Sequence, residues 1–170
     1  ATFELAGVAS KLTAESGGAV HALVIGSGIT DAANELAHYG VQNVHVADAE
    51  CCEPYNAQVW TGLLVKAIQS TQAQIVLGTA SPIGKDTLPR AGARLGCDVA
   101  SDCTGIHNTD NGLVVQRPYY AGKVFADVSW KDSSSTQLAT LRQNSFPLPS
   151  ADTSATANIE QIAVDLDPAT

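Results

Sequence analysis

Apolar residues fall in short blocks along this chain, and their spacing alternates between that of a helix and that of a buried strand. Phe3, Leu5, Val8, Ala9 and Leu12 lie largely on one helical face, so a helix is expected over Thr2–Glu15, stopped by Gly17-Gly18. Val20–Ile25 is a continuous apolar run ending in Gly26-Ser27-Gly28, which reads as a strand. A helix over Asp31–Tyr39 follows, capped by Thr30 and stopped at Gly40, and then a second strand over Asn43–Ala47. Glu53–Ser70 reads as a long helix with Pro54 near its first turn. Ile75–Thr79 reads as a third strand and Leu88–Leu95 as a helix closed by Gly96. This rhythm of strand and helix implies a parallel sheet with right-handed crossovers.

After Gly96 the rhythm changes. Val99–Ile106, Leu113–Gln116, Lys123–Trp130 and Gln137–Arg142 read as strands in succession, without helices between them. The cluster Asn108–Gly112, with Asn111-Gly112 at its end, is a hairpin signal, and Asp132–Ser135 is a polar turn. The expectation is an antiparallel extension of the sheet. Phe146–Ala157 reads as a loose connector, and Ile159–Leu166 as one last strand. The fold class is therefore α/β, a three-layer sandwich of Rossmann-like or adenine-nucleotide-hydrolase-like form. Its mostly parallel sheet is extended by antiparallel strands. Residues 1–146 form the scaffold domain and residues 147–170 a connector with the last strand.

Composition agrees with this reading. The chain has 170 residues, enough for one domain with a core, and aromatics are only 5 %. Abundant Ala, Gly, Ser and Thr let helices pack close against a sheet. A net charge of −8 argues against nucleic acid or an anionic membrane surface as main partner. No apolar run approaches the roughly 20 residues of a membrane span, and no secretory signal is visible. Cys51 and Cys52 are adjacent, and Cys97 and Cys103 flank a strand, so all four are expected to be reduced. The chain contains no Met and opens in helical period, which points to a processed, trimmed or incomplete chain.

Candidate chemistry centres on two glycine turns. Gly84-Lys85 follows Gly78 after five residues, and Asp86 stands where a phosphate loop needs a hydroxyl. This is not a working Walker loop. Pro82 and Gly84 are expected to shape a turn, Asp86 to cap the helix, and Lys85 to be a solvated charge. Gly26-Ser27-Gly28 carries only the first two glycines of a dinucleotide fingerprint. His21 and His45 lie on candidate strands and His38 on a helix, without the Cys or carboxylate spacing of a metal site. Asp98 and Asp102 share strand parity and read as an exposed edge or a cap. No catalytic nucleophile with a base stands out.

Ordered motifs carry a resemblance. They are Gly84-Lys85-Asp86-x-x-Pro89-Arg90-x-x-Ala93-Arg94-Leu95-Gly96, Asp102-Cys103-Thr104, Arg117-Pro118-Tyr119-x-x-Gly122-Lys123, and Thr140-x-Arg142-x-x-x-Phe146. Together they resemble the amino-terminal domain of the electron transfer flavoprotein alpha subunit, over nearly the whole chain. The resemblance implies a heterodimer with a beta subunit. It implies FAD-mediated electron transfer from flavin dehydrogenases, such as acyl-CoA dehydrogenases, to a quinone oxidoreductase. FAD would be bound mainly by a carboxyl-terminal domain that this sequence lacks, and AMP would belong to the beta subunit. No cofactor ligand is expected here. The family also places a strand just before a helix like Ala1–Glu15, so a fragment or separated domain is expected. A bacterial cytoplasm or a mitochondrial matrix is the implied compartment, and the role is that of an electron-carrier subunit rather than an enzyme.

Arg117, Tyr119, Lys123 and Arg142 are the candidate interface residues, facing a partner subunit or the flavin domain, or else forming ordinary solvated strand faces. Tyr120 and Trp130 would anchor the same contact or cover the sheet. The alternative reading is a free-standing nucleotide-binding module that uses Gly26-Ser27-Gly28 and Ser81–Lys85. A small hydrolase ranks last.

Overall fold

A computed structural model describes residues 1–110, 112–132 and 135–164. Helix α1 (Thr2–Ser16) leads through Gly17-Gly18 into strand β1 (His21–Gly26). A short helix α2 (Thr30–Ala33) tightens into a 3-10 turn over Asn34–Tyr39 and stops at Gly40, which adopts the left-handed conformation. Strand β2 (Asn43–Asp48), helix α3 (Ala57–Thr71), strand β3 (Ile75–Thr79) and helix α4 (Pro82–Leu95) complete the alternating part. Then come β4 (Val99–Cys103), β5 (Gly105–Thr109), β6 (Gly112–Tyr119), β7 (Val124–Ser129), β8 (Gln137–Leu141) and β9 (Asn158–Gln161). The fold class is the α/β sandwich expected, with parallel ladders and an antiparallel extension.

The ladders form three groups. β1-β2-β9 and β3-β8-β4 are both wholly parallel, and β5-β6-β7 is antiparallel. Helix α1 with the α2 turn covers one face of the parallel strands, and α3 with α4 the other. The central strand of each parallel ladder holds the core. Val44 and Val46 of β2 are fully buried, and all five residues of β8 are buried. β1 and β3, each at the end of its ladder, are only half-buried over Leu23–Ile25 and Ile75–Leu77.

Local chemistry moves several boundaries. The long helix starts at Ala57, not Glu53, because the Asn56 side chain accepts from the amides of Gln58 and Val59 at 2.9 and 3.2 Å. The next helix starts at Pro82, six residues before the Leu88 start expected from the apolar pattern. Ser81 caps it, accepting from the Gly84 amide at 3.1 Å, and Pro82 takes the first-turn position whose amide needs no partner. Thr30 is not a cap but the first residue of α2. The run Val99–Ile106 is two strands, broken at Thr104 where the chain turns from the parallel ladder to the antiparallel one.

One correction concerns topology. Gln137–Arg142 was expected in the antiparallel extension, yet β8 sits between β3 and β4, parallel to both. Burial on both faces is what a central parallel strand requires, and the sequence Gln137-Leu-Ala-Thr-Leu141 carries no mark of direction. The connector after Phe146 runs against the α1 side. Pro149 lies where a Cβ on Gly7 would meet it at 2.9 Å, and the Asp152 amide donates to the His38 carbonyl at 2.8 Å. The last strand is shorter than Ile159–Leu166, and residues 165–170 lie outside the described residues. So do Asn111 of the hairpin turn and Ser133-Ser134 of the polar turn.

Candidate functional site

The carboxyl ends of parallel strands are where open α/β sheets hold ligands, so the two glycine turns there come first. The turn after β1 is closed from within. Asp48, at the end of the neighbouring strand, accepts from the Gly28 amide at 2.7 Å, the Ile29 amide at 3.0 Å and the Thr30 hydroxyl at 2.9 Å. These bonds, that from the Gly28 amide first, hold its carboxyl below the ordinary carboxylate range. A phosphate would need the same donors. The residues present therefore do not fit a nucleotide or a flavin pyrophosphate at this turn.

The turn after β3 is closed too. Ser81 Oγ takes the Gly84 amide and lies 2.9 Å from Thr79 Oγ1. Gly84 is pressed so close to the strand that a Cβ there would sit 1.9 Å from the Thr79 carbonyl oxygen. Asp86 does not cap this helix. It stands in the second turn, accepting from Tyr55 Oη at 2.7 Å and from Arg90 Nε at 2.8 Å, and so links α3's approach to α4. The Tyr55 bond, with Arg90 next, depresses the Asp86 carboxyl, while burial raises the Tyr55 phenol.

Lys85 is not a lone surface charge. Its Nζ lies 3.6 Å from Asp102 Oδ1, and Arg142 grips the same carboxylate with Nε at 3.1 Å and Nη2 at 2.7 Å. Asp102 sits at φ 63°, in a register shift of the β4–β8 ladder, and its amide donates to Thr140 Oγ1 at 2.8 Å. Arg142 first, then Lys85, hold the Asp102 carboxyl below the ordinary carboxylate range. Asp102, read from sequence as an edge or a cap, is thus the centre of an ion cluster joining β4, β8 and α4. Asp98 instead offers its carbonyl to Trp130 Nε1 at 3.0 Å, so Trp130 covers the sheet within the domain.

Of the four candidate interface residues, the structure brings two together directly. The Arg117 guanidinium carbon lies 5.4 Å from the centre of the Tyr119 ring. Lys123 is in the adjoining connection between β6 and β7, while Arg142 is committed to Asp102. Around that connection Tyr120 is 80 % exposed, Phe125 53 %, Val124 50 % and Tyr119 38 %. Sequence reading missed Val124 and Phe125. The alternation of β7 gave the only signal, and it cannot tell which face meets solvent.

It missed a second grouping as well. His21 Nδ1 faces His45 Nε2 at 2.9 Å on the neighbouring strand, and His45 Nδ1 faces Glu160 Oε2 at 3.3 Å on β9. Glu160 enters only because β9 returns beside β2. The four thiols are free, and burial pushes that of Cys103 up to about 11. No helix among the described residues is long and apolar enough to cross a membrane.

These features define a doubly wound α/β domain whose phosphate turns are closed by its own side chains and whose antiparallel flank is exposed and aromatic. The chain matches the electron transfer flavoprotein domain over residues 1–167 and belongs to that family, in the amino-terminal part of its alpha subunits. It is 32 % identical over 165 residues to the electron transfer flavoprotein subunit alpha of Bacillus subtilis, covering 97 % of this chain and 50 % of that protein. It is 30 % identical over 165 residues to the lactate dehydrogenase (NAD(+),ferredoxin) subunit LctC of Acetobacterium woodii, covering 96 % of this chain and 39 % of that protein. The mitochondrial alpha subunit of Arabidopsis thaliana is 33 % identical over 137 residues, covering 79 % and 36 %. The chain thus spans half or less of the length of these relatives.

Proposed function

We propose that this chain is the scaffold domain of an electron transfer flavoprotein alpha subunit, and that it pairs with a beta subunit through the β6–β7 surface. The observation that carries the pairing is the run of exposed apolar and aromatic residues, Tyr119, Tyr120, Val124 and Phe125, beside Arg117 and Lys123. Aromatic anchors edged by cations are the composition of an interface core and its rim. In a chain of net charge −8, local cations select an acidic partner surface.

In this reading FAD is held mainly by polypeptide outside these residues and AMP by the beta subunit. The turns at Asp48 and Ser81 support that division, because Asp48 takes the Gly28 and Ile29 amides and Ser81 Oγ takes the Gly84 amide, donors that a phosphate would otherwise use. The complete heterodimer would carry electrons from flavin dehydrogenases, acyl-CoA dehydrogenases among them, to a quinone oxidoreductase, in a bacterial cytoplasm or a mitochondrial matrix. The domain itself would orient and support, and perform no chemistry. Residues 147–170 would lead from the scaffold toward the flavin domain.

Mixing the purified chain with a beta subunit and following association by light scattering tests the pairing. A stable 1:1 complex is expected. Replacing Tyr120→Ser together with Phe125→Ser should weaken it about a hundredfold with the melting temperature unchanged, since both side chains are exposed. Unchanged affinity in that variant would remove this surface from the interface. Flavin absorption bands from this polypeptide alone would overturn the assignment of FAD to another domain.

A further inference from the structure

His21, His45 and Glu160 lie apart from the β6–β7 surface, on one face of the β1-β2-β9 ladder. Glu160 stands directly beside His45 in the β2–β9 register, and His21 is two residues before the Leu23 that pairs with His45. Side chains at matched or evenly offset strand positions share a face. That face carries Ala47 and packs against Val59 and Leu63 of α3, whereas Val44 and Val46 pack on the other side with Leu36. His45 is buried, His21 is exposed, and the Glu160 side chain is 65 % exposed.

Both ring nitrogens of His45 are engaged, at 2.9 Å to His21 Nδ1 and at 3.3 Å to Glu160 Oε2. These contacts dictate where the hydrogens sit. An ionised carboxylate only accepts, so His45 Nδ1 carries a hydrogen. In the neutral pair His45 Nε2 is then a lone pair, and His21 Nδ1 donates to it. A further proton enters at His21 Nε2. Transfer of the bridging hydrogen across the 2.9 Å contact then moves the charge to His45. No hydrogen bond is lost, because His45 Nε2 now donates to His21 Nδ1 while the imidazolium faces Glu160. A second proton has no such place, since two N–H groups would face each other. Burial first, and the charge of His45 second, depress His21 in agreement with that order. Other charges near the site are few among the described residues. Lys66 is the one charged residue of α3, and its Nζ donates to the Ala163 carbonyl at 3.0 Å. Asp48 of β2 points to the opposite face and holds the Gly28 amide, and the rest of β9 is neutral.

We propose that these three side chains form a one-proton clasp that sets how tightly β9 is held to β2. Uptake of a single proton turns the neutral His45–Glu160 contact into an ion pair while the link to β1 is kept. β9 is an element that such a contact can govern. It has four residues, three of them exposed, and among the described residues it is laddered to β2 alone. Short edge strands with few buried contacts lie at the low-stability end of a fold. β9 also ends the connector that follows Phe146, so its seating keeps that connector on the domain.

Native-state amide exchange tests the clasp, read on the Asn158 and Ile162 amides, which donate to the Gln42 and Val46 carbonyls at 2.9 and 2.8 Å. After correction for intrinsic exchange, protection of both should rise about threefold from about pH 8 to about pH 6, and the rise should shrink at high salt. Glu160→Gln keeps a hydrogen-bond acceptor, removes the charge and alters an exposed side chain, so it should fold normally and lose the rise. His21→Ala leaves the Nε2 hydrogen of a charged His45 without its acceptor, and should move the rise to lower pH. Imidazole nitrogen NMR spectra of the wild-type chain give an independent reading, with a hydrogen on His45 Nδ1 expected at about pH 8. Flat protection in the wild-type chain, an equal rise in Glu160→Gln, an unmoved rise in His21→Ala, or a bare His45 Nδ1 would each overturn the proposal.

Discussion

Asp48 gives the first glycine turn an anion of its own. Its carboxylate collects the Gly28 and Ile29 amides and the Thr30 hydroxyl, and that set of donors is what a phosphate would otherwise use. Asp48→Ala is expected to lower the melting temperature and speed amide exchange over residues 26–31. Because its folded carboxyl titrates below the ordinary range, its contribution is complete above about pH 4 and fades as pH falls through the depressed value. The wild-type chain should give no heat on titration with AMP or ATP. The Asp102 cluster is testable in the same way. Asn tolerates φ 63° as Asp does, so Asp102→Asn isolates the ion pairs with Arg142 and Lys85. A loss of about 1 kcal/mol at low salt, shrinking with added salt, is expected in urea melts. His21 works in the opposite sense from the carboxylates. Partial burial first, and the charge of His45 second, depress its value from 6.5. The unfolded chain therefore binds a proton more readily, and stability is full above about pH 6.5 and falls as pH drops below it. His21→Asn should flatten the stability curve between about pH 7 and pH 5; an unchanged slope there would assign the acid sensitivity to other groups.

At the scale of the element, α4 shows how caps and close approaches outrank hydrophobic period. Its apolar pattern begins at Leu88, but Ser81 and Pro82 start the helix a turn and a half earlier. Gly84 then has to be glycine for contact rather than for conformation. Helix propensity alone makes Gly84→Ala favourable by about 1 kcal/mol. With the Thr79 carbonyl oxygen 1.9 Å from the new Cβ, the strand or the helix must shift. A net loss of about 2 kcal/mol is expected by thermal denaturation. β8 carries the opposite lesson. Leu138 is fully buried between two parallel neighbours, so Leu138→Ala should cost about 2–5 kcal/mol. An edge strand of an antiparallel extension would lose much less, and the size of the loss reports the strand's position.

For the whole molecule, the alternating part of the chain was legible because most of its helices and strands follow their own period and several helices end at a glycine. Gly40 and Gly96 stop helices as read, and β1, β2 and β3 fall where the apolar runs lie. The ordered motifs from Gly84 to Phe146 likewise carried the family. The candidate site was legible only in part. Arg117 and Tyr119 meet on β6, two residues apart on one strand face, as spacing allows. Arg142 could not be assigned from sequence, because its partner Asp102 is forty residues away and reaches it only through the β4–β8 ladder.

What the sequence determined by itself, then, is local: which segments wind, which extend, where most of them stop, and which motifs occur in what order. Those properties depend on neighbours within a few residues, so they are written in the chain. Tertiary structure alone decided the rest. It set β8 in the middle of the parallel sheet, turned Asp48 onto the Gly26–Thr30 loop, and gathered Lys85, Asp102 and Arg142 into one cluster. It also aligned His21, His45 and Glu160, and among the described residues left β1 and β3 with one paired edge each. The reason is physical. Strand order and the meeting of distant charges follow from burying every helix and sheet face at once, a condition that no single segment contains.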